Sequence, residues 1–200
     1  MSKRLLLLPC ILIFAGIFLA ACGSSGGDEA EVKEVIEQSA TTTDPADCKK
    51  LQTQKFMEQT SEESGKAAVT ECEEEAKKEE GAKSVDTSEV EVEGSSATAN
   101  VALTGGTLNG QAVEVGLVKD GDQWKMNEVV KFTEFDQAKL VEHLEGQFKE
   151  HSSEIPAPIA TCFIEAFKEG SQEEVEELVF GGGSKALEEV AEACQSSPSA

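Results

Sequence analysis

The residues with most scope for chemistry are six cysteines, and their positions separate them. Cys10 and Cys22 lie near the N-terminus, whereas Cys48, Cys72, Cys162 and Cys194 are spread through the rest of the chain. Four such thiols can oxidise to two disulfides or ligate zinc. Structural zinc sites are usually built from closely spaced C-x-x-C pairs; there is none here, and His143 and His151 lie away from the cysteines. No metal site is therefore expected. Four cysteines allow three connectivities, and spacing favours neighbours, Cys48 with Cys72 and Cys162 with Cys194. The two histidines lack ligand or triad spacing, and tyrosine is absent. The run Gly181-Gly182-Gly183-Ser184-Lys185 departs from the phosphate-binding G-x-x-x-x-G-K-[ST] pattern and follows a helix, so it reads as a turn. Glu73, Glu74, Glu75, Glu79 and Glu80 are acidic enough to attract calcium, but hard-cation sites need oxygens converging from a shaped loop. A solvated helix end is expected instead. No catalytic residue and no cofactor are expected.

Cys22 has different surroundings. Lys3 and Arg4 precede an apolar run from Leu5 to Leu19, broken by Pro9 and Gly16, and small residues then lead to Cys22. Positive start, apolar centre and small residues are the pattern of a secretion signal, and the run falls short of the ~18 or more residues a spanning helix needs. Leu19-Ala20-Ala21-Cys22 resembles the lipobox, at which a cysteine is diacylated on sulfur and cleavage falls between Ala21 and Cys22. That resemblance implies an anchor. Each buried methylene contributes about 0.8 kcal/mol and a stable anchor takes more than one chain, which a diacylglyceryl group supplies. Residues 1–21 are thus expected to be signal, and 22–27 a lipidated cysteine with a flexible Gly-Ser tether. The expected location is the extracytoplasmic face of the cell membrane, with the membrane itself a partner through the lipid.

Charge narrows the remaining partners. The chain has 39 Asp and Glu against 17 Lys and Arg, a net charge of −22, and without Lys3 and Arg4 only 15 bases face the same acids. Such a surface repels nucleic acid and anionic headgroups. Arg4 is the sole arginine, so nothing after it offers the planar fork suited to phosphate. Nucleic acid is excluded as a partner.

The elements that must position these residues follow from periodicity. Val32, Val35, Ile36 and Ala40 recur at helical spacing; Asp44-Pro45 opens a second helix carrying Cys48, Leu51 and Phe56; a third, after Gly65, carries Ala68, Val69, Cys72 and Ala76. From Val85 to Phe132 the period becomes two: Val90 and Val92; Ala97, Ala99, Val101 and Leu103; Val113, Val115 and Leu117; Trp124 and Met126. Gly94-Ser95, Gly105-Gly106 with Asn109-Gly110, and Asp120-Gly121 supply the reversals of a four-stranded antiparallel meander. Thr133 with Asp136 opens a helix presenting Leu140, Val141, Leu144 and Phe148 and ending near His151, and Ser152 to Pro158 reads as a linker. Three short helices follow, carrying Cys162, then Val175 after a Ser171/Glu174 capping box, then Cys194 after Ser184. The expected fold is α+β, with a first domain over 28–151 and a disulfide-stapled helical tail over 152–200.

Helices followed by a meander whose last hairpin is Lys119-Asp120-Gly121-Asp122-Gln123-Trp124-Lys125-Met126 resemble the nuclear transport factor 2-like superfamily over roughly Asp28 to Phe132. The arrangement is also similar to uncharacterised actinobacterial lipoproteins with paired cysteines in their early helices. The resemblance implies a cone of curved sheet wrapped on helices, its cavity lined by Val101, Leu103, Val113, Val115, Leu117 and Trp124. Enzymes of the superfamily keep an Asp, His or Tyr inside the cone, and these positions carry none. A non-catalytic module for a small apolar ligand or an envelope protein partner is expected. The alternatives are an isomerase- or dehydratase-like enzyme using Glu128 or Asn100 after a one-residue register slip, and a purely structural envelope protein. The sequence leaves the oligomeric state open.

Overall fold

A computed structural model describes residues 25–61, 63–78, 81–150, 155–181 and 185–196; the signal segment, Cys22, His151 and Ser184 lie outside the described residues. The protein is α+β. Four helices, α1 (Ser25–Thr41), α2 (Ala46–Leu51), α3 (Gln54–Thr60) and α4 (Lys66–Lys78), precede four strands, β1 (Ser84–Glu93), β2 (Ser96–Thr104), β3 (Ala112–Asp120) and β4 (Gln123–Glu134). Helices α5 (Gln137–Glu150), α6 (Ala157–Glu169), α7 (Gln172–Phe180) and α8 (Lys185–Ser196) follow. No helix among the described residues is long and apolar enough to cross a membrane.

The strands pair in chain order, all antiparallel. Gly94 and Gly121, with φ of 64° and 67°, each take the first central position of a two-residue reversal, where a side chain would be strained. Alternation puts Ala97, Ala99, Val101, Val113, Val115 and Leu117 on the buried face, while Thr98, Asn100, Ala102 and Glu114 face outward. Simple alternation fails at two strands. In β1, Glu89 and Val90 together oppose a single partner position, Glu89 takes a φ of 50°, and the extra residue returns Val90 and Val92 to the side of Val85. In β4 the register shifts three times against β3, so the buried residues are Trp124, Met126, Val129 and Phe132, spaced by two, three and three. Bulges of this kind bend a strand and raise its twist, and α1 packs across the sheet against β1 and β4.

Several helix boundaries differ from those expected. Helix α1 begins at Ser25, so Ser25 to Gly27 form its first turn and are not part of a free tether. Asp28 lies in that turn, where a carboxylate favours the helix start. The helix expected to run from Cys48 through Phe56 is broken at Gln52-Thr53. There Thr53 donates its N–H to the Met126 carbonyl (2.8 Å), and its hydroxyl accepts the Phe56 N–H as the N-cap of α3. A tertiary hydrogen bond to β4 outweighs continuation of the helix. Thr133 does not cap α5. It stays in β4, its hydroxyl bonded to Asn100, and Asp136 does the capping by accepting the Lys139 N–H. The Ser171/Glu174 capping box is present as expected, with both reciprocal bonds.

The last three helices do not form a unit with a core of their own. Phe167, Val175, Leu178 and Phe180 join one cluster with the sheet's Val129 and Phe132, and the rings of Phe132 and Phe180 are 4.7 Å apart. Helix α7 reaches β4 because that strand's outer edge has no neighbouring strand. The Phe132 N–H donates to Glu176 (2.8 Å) and its carbonyl accepts from Gln172 (3.1 Å). One step along, the Gln59 amide of α3 accepts the Val129 N–H and donates to the Val129 carbonyl, both at 2.8 Å. A carboxamide thus stands where a neighbouring peptide group would be.

Gln59→Leu keeps the side chain's bulk and leaves both Val129 backbone groups without these partners. An unmet buried polar group costs roughly 1–3 kcal/mol, so a loss of about 2 kcal/mol is expected as a lower urea midpoint at unchanged slope. A midpoint equal to that of the unaltered protein would show that water satisfies this edge equally well.

Candidate functional site

Of the six side chains expected to line a cavity, Val101, Val113, Val115, Leu117 and Trp124 are 1–3 % exposed, and Leu103 packs half-buried beside them. They converge on one face of the sheet, as the alternation requires. Val32 and Ile36 of α1 and Leu140 of α5 pack into the same cluster. This face is a filled apolar core, and of the six only Trp124 borders one of the openings described below. The polar residue buried with the core is Gln111, whose amide donates to the Asp136 carbonyl and accepts the Asp136 N–H (2.9 and 2.8 Å). It ties the start of β3 to the start of α5 and is satisfied by doing so. Its role had no signal in the sequence beyond a lone amide beside a glycine turn.

Asn100 and Glu128 stay off the core. Asn100 faces outward against Thr133, and Glu128 pairs with Lys55 at 2.5 Å. The observed register leaves neither near the apolar face. His143 is half-buried on α5, less exposed than a polar-face position implies, and its Nε2 has no hydrogen-bond partner among the described residues. No group of three or more His, Cys, Asp or Glu is placed to hold a metal ion among the described residues.

The cysteines pair as neighbours. Cys48 joins Cys72, linking α2 to α4, and Cys162 joins Cys194, linking α6 to α8, with Cα separations of 6.1 and 5.6 Å. Two such bonds fit an oxidising, extracytoplasmic environment. Around the first, Met57 and Ala68 form a small second core.

Polar interactions concentrate where α1 meets the last hairpin. Asp28 accepts from Lys119 Nζ (2.5 Å) and from the Trp124 indole N–H (3.2 Å), while Lys119 Nζ stands 5.0 Å from the centre of the indole ring. Hydrogen bonds from Lys119 and then Trp124 hold the Asp28 carboxyl below the usual carboxylate range, and Asp28 holds Lys119 above the ordinary lysine value. Both groups stay charged near neutrality, which suits an anchor and not a proton donor or acceptor. Beside Trp124 a groove of about 330 Å³ has Val35 and Leu51 in its wall and Glu31, Glu34, Asp122 and Lys50 at its margin.

A larger groove, about 530 Å³, opens between α6, α7 and α8, where the helical periodicity carries no sign of one. Its wall is Ala166, Leu178, Ala186, Val190 and Ala193, and its margin carries Glu169, Glu174, Glu177 and Glu189. Small side chains at the helix crossing leave the space open, and Cys162–Cys194 fixes the separation of two of its walls. The molecule is therefore a disulfide-bonded α+β domain with an apolar centre and several surface grooves, of which the one between α6, α7 and α8 has only carboxylates as its charged lining. Compared with family models, curated proteins and solved structures, the chain matches none.

Asp28 contributes to stability most fully above its unfolded pKa of about 3.9 and loses that contribution as pH falls through its lowered folded value. Lys119 works the other way. Its contribution is present below the unfolded value of about 10.4 and fades as pH rises through its raised folded value. The melting-temperature gap between the protein and Asp28→Asn should be constant from about pH 5 to 9 and close in strong acid. A gap that persists undiminished at pH 2 would contradict the ion-pair account.

Proposed function

We propose that this chain is an exported lipoprotein, held on the extracytoplasmic face of the cell membrane by a diacylglyceryl group on Cys22, and that its folded part is a non-catalytic binding module. One observation carries the reading: Leu19-Ala20-Ala21-Cys22 closes a signal-like apolar run and precedes a domain whose remaining cysteines form two disulfides. Lipid attachment and disulfide formation belong to the same export route. The order of helices then meander supports a place among nuclear transport factor 2-like cones. The non-catalytic part is supported by where polar side chains are engaged: Gln111 on Asp136, Glu128 on Lys55, Asp28 on Lys119 and Trp124. With the apolar centre filled, recognition falls to the surface grooves, and a net charge of −22 favours cationic partners.

Cys22→Ser, expressed in a bacterium that processes lipoproteins, should leave the membrane fraction and incorporate no labelled palmitate. Membrane association unchanged by this substitution would refute the anchor. For the binding role, a native mass spectrum of protein released gently from membranes should carry a reproducible non-covalent partner. Bare protein in repeated preparations would instead favour a purely structural role.

A further inference from the structure

The groove between α6, α7 and α8 combines three properties that together specify an occupant. Its wall is apolar and recessed: Leu178 is buried, Ala166, Ala186 and Val190 are half-buried, and Ala193 at the mouth is exposed. Its volume, about 530 Å³, holds a few aliphatic side chains and not a whole domain. Its margin is acidic. Residues 155–196 contain nine Glu against two Lys, and four of those carboxylates border the groove. Lys185 pairs with Glu189, at 2.9 Å. Glu174 is kept ionised by the Ser171 N–H and hydroxyl, which hold its carboxyl below the usual range.

Resting on the binding-module reading above, we propose that this groove docks a basic amphipathic helix of a partner protein, two or three apolar anchors entering between α7 and α8 while flanking lysines or arginines meet the glutamates. Anchors at i, i+3 or i+4, and i+7 are the spacing by which a helix fills a helical groove. Charge complementarity selects the partner. A second copy of this chain would bring its own −22 to the same acidic margin, and an anionic lipid surface would be repelled as well. The Cys162–Cys194 bond holds α6 and α8 at their spacing before the partner arrives, which lowers the ordering cost of docking.

The test uses the full chain in mild detergent and a labelled 14-residue Leu/Lys amphipathic helix, with a Leu/Glu helix of the same pattern as control, read by fluorescence anisotropy. The Leu/Lys peptide should bind and the Leu/Glu peptide should not. Ala193→Trp, which blocks the mouth from an exposed position, should weaken binding tenfold or more. Glu169→Lys, also exposed and needing no repacking, should weaken it severalfold, while Glu91→Lys on β1 should leave it unchanged. Equal loss from Glu169→Lys and Glu91→Lys would reduce the effect to general attraction by an acidic surface and overturn the proposal. So would binding of the Leu/Glu peptide, an unaffected Ala193→Trp, or self-association that Ala193→Trp abolishes. A native spectrum that carries a partner while the Leu/Lys peptide fails to bind would overturn the groove alone, whereas bare protein in that spectrum would overturn the binding-module reading as well.

Discussion

The outer edge of β4 is the constraint on which the arrangement depends. A strand edge presents backbone donors and acceptors that must find partners or water, and an uncovered edge invites pairing with other chains. Here the edge groups of Met126, Val129 and Phe132 are met by Thr53, Gln59, Gln172 and Glu176 from two separate stretches of chain. The bulges between these residues bring their side chains to the core face and their peptide groups to the edge at intervals that α3 and α7 can serve. Helices on either side of the meander in sequence are thereby joined to the same strand. Phe132 against Phe180 then closes the apolar seam beneath those hydrogen bonds.

The opposite edge is handled by charge. Strand β1 carries Asp86, Glu89, Glu91 and Glu93 and a bulge at Glu89. Acidic side chains and an irregular twist both discourage strand addition from another molecule. The excess of acid along this strand thus protects the sheet. Because so much of the surface is negative, charge alone marks no one place on it.

What the sequence made legible was local. Period-two runs located all four strands, the small residues between them located the reversals, and the Ser171/Glu174 box located α7. Neighbour pairing of the cysteines was expected from their spacing, and both bonds are present. What it hid was decided by contacts distant in sequence. The break at Gln52-Thr53 answers a carbonyl on Met126, and Thr133 is drawn into β4 while Asp136 caps α5. The packing of Val32 and Ile36 of α1 against the sheet's apolar face is a contact of this kind. The α6–α8 groove was hidden for a different reason: alanines on a helix read as ordinary helix formers whether they face a neighbour or a gap.

The two disulfides sit where that hidden information matters most. The central core has large residues from both helices and sheet. By contrast, the satellite around Cys48, Met57 and Ala68 buries few large side chains, and α8 contacts the rest of the protein chiefly through α6. Loops closed over 24 and 32 residues are each worth roughly 3–4 kcal/mol in the chain-entropy model, comparable to a substantial part of a domain's net stability. Each bond therefore compensates for a thin apolar contact, and at α6–α8 it does so without filling the space between the helices. A hydrophobic staple there would have stabilised α8 by occupying the groove; a covalent one stabilises it and leaves the groove free.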